Sequence, residues 1–275
     1  MVIGENPEKQ LAPYDENIEV PQYCAEEVSE EEINRLRDYY SDDTCGYASF
    51  EIYAWEEEKY MRGEDGVWRR YSTYNPKSKW DWYKLGGRFS GAFIKLKPNA
   101  TGIMGEANWS NDYKNGEDAA YKKDIDFKAI RDEAADKARK LYRRVVSFFN
   151  GNIPEIISWG IVLNDKEYEA LSIAEKRDFY HNQKGVYEWN KSEEFWHYDL
   201  ESFQCTEEEY VKQAVSHAFV PFALVKDGEW YERGRMGWWA IVTDEMDADV
   251  WAEKVSKMID ELPDDTLISI YDCHI

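Results

Sequence analysis

The sequence lacks the features that mark membrane and secreted proteins. None of its apolar runs reaches the length that a membrane-spanning helix needs. The first ten residues, MVIGENPEKQ, contain no basic segment followed by an apolar one, so no secretory signal is expected. Its 275 residues include only four cysteines, at positions 24, 45, 205 and 273, with no CxxC pair. This spacing predicts reduced thiols in a cytoplasmic protein.

Motifs that identify a reaction are also missing. The sequence has no GxSxG elbow, no HExxH zinc motif, no EF-hand loop and no cysteine–histidine spacing typical of a nucleophile. It has no internal repeat and no low-complexity tract. No cofactor is therefore predicted.

Aromatic side chains and acidic charge are what the sequence has in abundance. Aromatics make up 16% of the residues, with 12 Trp and 20 Tyr, which a disordered acidic chain would not contain. The formal net charge is −22, of which residues 1–58 carry −14, residues 59–150 carry +8 and residues 151–275 carry −16. Such a charge disfavours direct binding to nucleic acid, whose phosphates require a positive surface, and to anionic membranes.

Two interpretations of the acidic charge remain open. The carboxylates either bind a basic protein surface, in place of nucleic-acid phosphates, or serve solubility alone. The basic stretch in the middle of the chain either binds an anion or pairs with the chain's own acidic flanks.

The hydrophobic pattern predicts an α+β fold, with a mainly antiparallel sheet and helices packed on one face, in one or two lobes. We expect an extended or poorly ordered arm over residues 1–28, an N-terminal α+β region over 29–150 and a C-terminal α+β region over 151–275. The clearest local predictions are a helix over 126–149, capping boxes at Ser29/Glu32 and Thr206/Glu209, and strands over 47–55, 155–163 and 237–243.

The densest motif is NPKSKWDWYKLGGRFSG, at residues 75–91. A glycine pair lets the backbone approach a partner closely, and Arg88 could bind a carboxylate or a phosphate, so Trp80, Trp82 and Arg88 are candidate binding residues. In the alternative interpretation the segment is a structural turn, in which both tryptophans anchor a loop and Arg88 neutralises a buried Asp81.

This motif is similar to the NPxSKWDWYxxGGRxxG signature of uncharacterised phage and prophage proteins, with Phe89 where tryptophan is more common. The C-terminal part resembles the same proteins at His217, Lys226-Asp227-Gly228, Gly237-Trp238-Trp239, Leu262-Pro263-Asp264-Asp265-Thr266 and Asp272-Cys273-His274. Together these segments cover under a third of the chain. The resemblance implies a phage setting but no particular activity.

A second constellation consists of His217, Asp272 and His274. Residues 272 and 274 of a strand point to the same side, so the three side chains could form a metal site or an acid–base pair. The alternative is that the histidines are structural.

A third constellation is the stretch over residues 180–203, where aromatic and acidic side chains alternate. Such a mixture suits a protein interface, in which aromatics anchor and carboxylates meet a basic rim, although the same stretch could fold onto the domain. The candidate contacts are Trp189, Glu193, Glu194 and Trp196 here, and Glu30, Glu31, Asp42 and Asp43 near the N-terminus.

Together these observations lead us to expect an acidic phage protein in the host cytoplasm that binds and inhibits a host protein with a basic surface, such as a defence or nucleic-acid-handling factor. One alternative is a metal-dependent hydrolytic enzyme that uses His217, Asp272 and His274, with Arg88 holding an anionic substrate. Another is a virion component that forms a homo-oligomer.

Overall fold

The computed structural model describes residues 1–39, 51–55, 58–107, 116–237 and 241–274. Within them the chain has an α+β fold with mostly antiparallel sheets, as predicted. The strands are β1 (Val2–Ile3), β2 (Tyr23–Val28), β3 (Glu51–Trp55), β4 (Glu58–Arg62), β5 (Trp68–Ser72), β6 (Trp82–Gly87), β7 (Glu106–Ala107), β8 (Ala119–Tyr121), β9 (Ala223–Lys226), β10 (Glu229–Glu232), β11 (Arg235–Met236), β12 (Val242–Thr243), β13 (Leu267–Ser269) and β14 (Tyr271–His274).

Most of the helices in the described residues lie between β8 and β9 along the chain. The helices are α1 (Pro7–Leu11), α2 (Glu30–Tyr39), α3 (Phe127–Phe148), α4 (Trp159–Asn164), α5 (Ile173–Asn182), α6 (Lys184–Asn190), α7 (Glu207–Ser216) and α8 (Ala248–Asp260), with 3-10 turns at Ala12–Tyr14, Lys122–Asp124, Lys166–Tyr168 and Leu200–Phe203.

A five-stranded sheet in the order β10-β9-β1-β13-β8 forms the centre of the protein. Strand β1 lies in its middle, parallel to β9 and antiparallel to β13. The prediction of an extended or poorly ordered arm over residues 1–28 is therefore wrong, since both residues of β1 are buried. Both partner strands lie more than 200 residues away along the chain, so no local pattern could indicate this pairing.

Alternating side chains cover the two faces of this sheet differently. Ile3, Leu224 and Ile268 belong to a core that α3 and α8 complete on one face. Val2 and Val225 point to the other face, where a second cluster contains residues of α1 and the segment before β6. The two long helices thus share one face, as predicted, while the short helix α1 helps to cover the opposite one.

Local capping signals are reproduced where the sequence is most explicit. Asp126 caps α3 by accepting a hydrogen bond from the backbone of Ala129 at 2.9 Å. The capping box of Thr206 and Glu209 at the start of α7 is confirmed in both directions. At α2, the Glu32 N–H donates to the Ser29 hydroxyl at 3.2 Å.

One predicted strand is wrong, and another is not buried where the structure describes it. Residues 155–163 contain the start of α4, because the Ser158 hydroxyl caps a helix at the backbone of Ile161. The predicted buried strand over 237–243 is replaced, in its described residues, by the two-residue strand β12, and Ile241 before it is 64% exposed. The predicted strand over 47–55 is described only from Glu51, as β3.

A separate helical layer follows α3 and supports the candidate interface. Helix α6 and the residues after it pack on the C-terminal half of α3. The core of this layer consists of the buried side chains Val145, Phe149, Val186, Trp189, Phe195, Leu200 and Phe203.

Candidate functional site

The first half of the 75–91 segment is fixed by buried contacts to the N-terminal residues. The Asn75 amide donates to the carbonyls of Pro13 and Asp15, both at 2.9 Å. The Trp80 indole N–H donates to the Leu11 carbonyl at 3.2 Å. Trp80 is thus a structural anchor, as the alternative interpretation proposed, and is not exposed for binding.

The second half of the segment is held by Asp272, whose carboxylate is fully buried. It accepts hydrogen bonds from the backbone N–H of Arg88 at 2.8 Å and from the Arg88 guanidinium at 2.6 Å. The predicted pairing of Arg88 with Asp81 is therefore corrected to Asp272. Burial by itself would raise the pKa of Asp272, but hydrogen bonds and charge from Arg88 outweigh it and lower that pKa, so the carboxylate stays ionised.

The glycine pair is required by close packing against two buried carboxylates. Gly86 and Gly87 adopt φ values of 76° and 53°, in the left-handed region that favours glycine. A Cβ atom at Gly87 would lie 2.5 Å from Cβ of Asp272, and one at Gly86 would lie 2.4 Å from Oδ2 of Asp118. The pair thus serves close backbone approach, as predicted, although the partner is the chain itself.

Asp118 is the residue in this region that sequence reasoning missed. Its buried carboxylate accepts hydrogen bonds from the Ser90 hydroxyl at 2.8 Å and from the backbone N–H groups of Gly91 and Gly105, both at 2.7 Å. A single aspartate before a short apolar strand carries no motif, so only its three donors, supplied by distant loops, reveal its role.

The predicted metal or catalytic cluster of His217, Asp272 and His274 is not formed. Nε2 of His217 lies 2.9 Å from the carboxylate of Asp249, and Asp272 holds Arg88. Nδ1 of His274 lies 3.2 Å from the carboxylate of Asp81. Across the residues that the structure describes, no three His, Cys, Asp or Glu side chains are grouped so as to hold a metal ion.

Trp82 and His274 form a small exposed pair beside this region. Their rings stack with centroids 5.1 Å apart, because the two residues are register partners on β6 and β14. Trp82 is half-exposed and remains a candidate binding residue.

The acidic aromatic loop, which we define as residues 193–199, is the most exposed part of the predicted interface. Trp196 is 78% exposed, and Glu193 and Glu194 before it also face solvent. Phe195 between them is buried in the helical core, where its ring stacks on Trp189. One buried side chain therefore holds the loop while its neighbours face outward.

Hydrogen bonds close this loop on itself. The indole N–H of Trp189 donates to the Tyr198 carbonyl at 3.0 Å, and the backbone N–H of Tyr198 donates to the Phe195 carbonyl at 2.9 Å. Trp189 was predicted as a binding contact, but it is buried and supports the loop from below. A loop held in this way loses little conformational freedom when a partner binds.

The basic middle of the chain pairs with the acidic flanks, which confirms one of the two interpretations of that stretch. On the N-terminal side, the partners are in strands β2 and β5. On the C-terminal side, they connect the 75–91 segment and α3 to residues beyond 190. The pairs are Arg69–Glu27, Arg70–Glu26, Lys79–Glu232, Arg88–Asp272, Arg143–Glu207 and Arg144–Glu194.

Most of the acidic charge remains at the surface. Asp118 and Asp272 are the only buried carboxylates among the described residues. Glu30 and Glu31, in the first turn of α2, are exposed. The predicted contacts Asp42 and Asp43 lie outside the described residues.

Comparison with models of known protein families, with curated proteins and with solved structures finds no match for this chain. None of the helices in the described ranges combines the length and apolar character that a membrane span requires.

Proposed function

We propose that this protein is a phage-encoded inhibitor that binds a host protein with a basic surface, a defence or nucleic-acid-handling factor, through the acidic aromatic loop. The resemblance of residues 75–91 to phage and prophage proteins supports the phage setting. The observation that carries the proposal is Trp196, which is 78% exposed on a loop that its buried neighbour holds in place. Tryptophan is enriched at protein interfaces relative to the rest of the surface, where its large ring anchors the contact.

The charge around the loop supports a basic partner. Residues 159–203 contain ten Asp and Glu against five Lys and Arg. Because most of the excess charge is exposed, this layer carries a negative field that attracts a positive surface and accelerates association.

The inhibition we propose is occlusion. Glu193 and its acidic neighbours would occupy positions that nucleic-acid phosphates take on the partner, while Trp196 fills a pocket at the centre of the contact. Tryptophan is enriched among the residues that dominate binding energy, and charged residues at the rim determine orientation and rate.

The first experiment is to express the tagged protein in a bacterial host and identify what co-purifies at low and at high salt. We expect one dominant partner that high salt releases, since exposed charge pairs are screened. Purified partner is then titrated with Trp196→Ala, which should weaken binding by about 2 kcal/mol or more, roughly thirtyfold.

Matched variants separate the loop from general effects. Tyr187→Ala removes an aromatic ring that is also exposed, on α6, and should leave affinity unchanged. Glu193→Lys and Glu253→Lys change the net charge equally, but only the first lies in the loop and should slow association. A partner whose binding is insensitive to salt and to Trp196→Ala would overturn the proposal.

A further inference from the structure

A cleft beside the 75–91 segment has the size and lining of a ligand site. Its volume is about 400 Å³, within the range of small-molecule pockets. Aromatic and aliphatic side chains from five separate segments form most of its wall: Phe89, Phe93, Phe222, Trp230, Met236 and Ile270. We propose that this cleft binds a small amphiphilic anion, an apolar body with a single carboxylate.

The position of Arg88 argues for an anionic head group. Its side chain lines the cleft and is 54% exposed, whereas its partner Asp272 is fully buried behind it and does not line the cleft. A ligand therefore meets the cation first. Three donor atoms of Arg88, its backbone N, Nε and Nη2, bond to Asp272 and hold that cation in position before any ligand arrives.

The other charged side chains in the wall, Lys79 and Glu232, are already matched to one another. One carboxylate oxygen of Glu232 accepts a hydrogen bond from Lys79 at 2.7 Å, and the other accepts one from the Trp230 indole at 2.8 Å. The wall thus presents Lys79 and Arg88 against Glu232, while Asp272, the counter-ion of Arg88, lies behind the wall, so the charge nearest to a ligand at Arg88 is positive. A positive edge on an apolar cleft complements an amphiphilic anion and opposes a cation.

The apolar part of the wall argues for an apolar body. Phe89 at the mouth is 41% exposed, and its ring lies 5.7 Å from the Arg88 guanidinium carbon. Covering such surface is favourable in proportion to the apolar area removed from water. This proposal is independent of partner binding through the acidic aromatic loop, which lies in the helical layer.

The test compares three ligands of equal chain length by titration calorimetry with the full chain, below their micelle concentrations. The probes are decanoate, decan-1-ol and decylammonium. We expect saturable binding of decanoate with a 1:1 stoichiometry, about tenfold tighter than decan-1-ol because the carboxylate bonds to Arg88, and the weakest binding for decylammonium.

Two variants locate the site. The double variant Arg88→Met/Asp272→Asn removes both charges while residue 272 still accepts the backbone N–H of residue 88, and it should reduce the preference for decanoate over decan-1-ol to about one. Ala223→Phe fills the cleft and leaves Arg88 unchanged, and it should weaken the binding of both decanoate and decan-1-ol at least tenfold. Ala170→Phe, at an exposed position in the helical layer, is the control and should leave the affinities for decanoate and decan-1-ol unchanged.

Each outcome decides the proposal. Absence of saturable decanoate binding, equal affinity for decanoate and decylammonium, or wild-type affinity in Ala223→Phe would each overturn it. If the double variant does not fold, the ligand series and Ala223→Phe still give the answer. Loss of binding only in Ala223→Phe, with the decanoate preference unchanged in a folded double variant, would overturn the role of Arg88.

Discussion

The buried carboxylates beside the 75–91 segment and the exposed carboxylates of the acidic aromatic loop share one chemistry and have opposite roles. Asp118 and Asp272 are surrounded by hydrogen-bond donors from distant parts of the chain. Glu193 faces solvent, and Glu194 reaches Arg144 at the protein surface. The first pair organises the protein, and the second is accessible to a partner.

Buried and exposed acidic residues therefore have to be considered separately before a function is inferred from an acidic composition. An ionised carboxylate taken out of water must be compensated by donors or a cation, so a buried one is tied to the fold. An exposed one contributes little to stability and acts through its field.

Replacing Asp118 should have the largest effect on stability. Asp118→Ala leaves three donors in a buried site without their acceptor and should lower the free energy of unfolding by about 3–5 kcal/mol. Urea denaturation of the variant and the wild type measures the loss. Asp118→Asn, which keeps one acceptor oxygen, is the control and should lose less; a loss below about 1 kcal/mol for the alanine variant would contradict the role assigned to this carboxylate.

Asp272→Asn should have a smaller effect that depends on pH. Because the folded-state pKa of Asp272 is lowered, its contribution is fully present above the unfolded pKa, about 3.9, and is lost as the pH falls through the folded pKa. At pH 7 we expect the free energy of unfolding of the wild type to exceed that of the variant by about 1–3 kcal/mol. This difference should shrink below pH 4. Denaturation curves at several pH values measure it.

The control for this pH dependence is Ser72→Ala, which removes a buried hydroxyl that accepts the Tyr74 N–H and does not titrate. Its stability difference should be the same at every pH. A difference for Asp272→Asn that stays constant down to pH 3 would show that the charge of Asp272 does not stabilise the fold.

The smallest effects on stability should come from the acidic aromatic loop. Glu193→Gln and Trp196→Ala should each change the free energy of unfolding by less than about 0.5 kcal/mol, because both side chains face solvent. Phe195 lies between these two residues, and its ring fills the helical core. Phe195→Ala should therefore lower the free energy of unfolding by about 3–5 kcal/mol. Thermal unfolding of the three variants checks the contrast, and a similar loss for Trp196→Ala would contradict it.

Local signals in the sequence predicted much of the fold. Helix α3 and the capping box of α7 follow from side chains three or four positions apart, whose interactions do not depend on the rest of the chain. The apolar run over residues 155–163 was ambiguous, because a short run of this kind suits a buried strand and a helix equally. Its interpretation as a strand overlooked Ser158 as a cap.

The candidate sites were harder to predict because burial is not a local property. Trp189 and Trp196 occur in similar acidic surroundings, yet one supports the helical core and the other faces solvent. The three-residue constellation of His217, Asp272 and His274 had plausible spacing, but each side chain has a different partner.

The amino-acid sequence is enough to derive the acidic charge and its distribution, the long helix and its caps, and the need for glycine where the backbone approaches a neighbour. Tertiary packing is needed to establish that β1 lies in the middle of the sheet, that Arg88 pairs with Asp272, and which tryptophan faces solvent. The two groups differ in the distance along the chain over which their interactions act. Helix propensity and capping act within a few residues, whereas Arg88 and Asp272 are 184 positions apart and meet only when strands β6 and β14 pair.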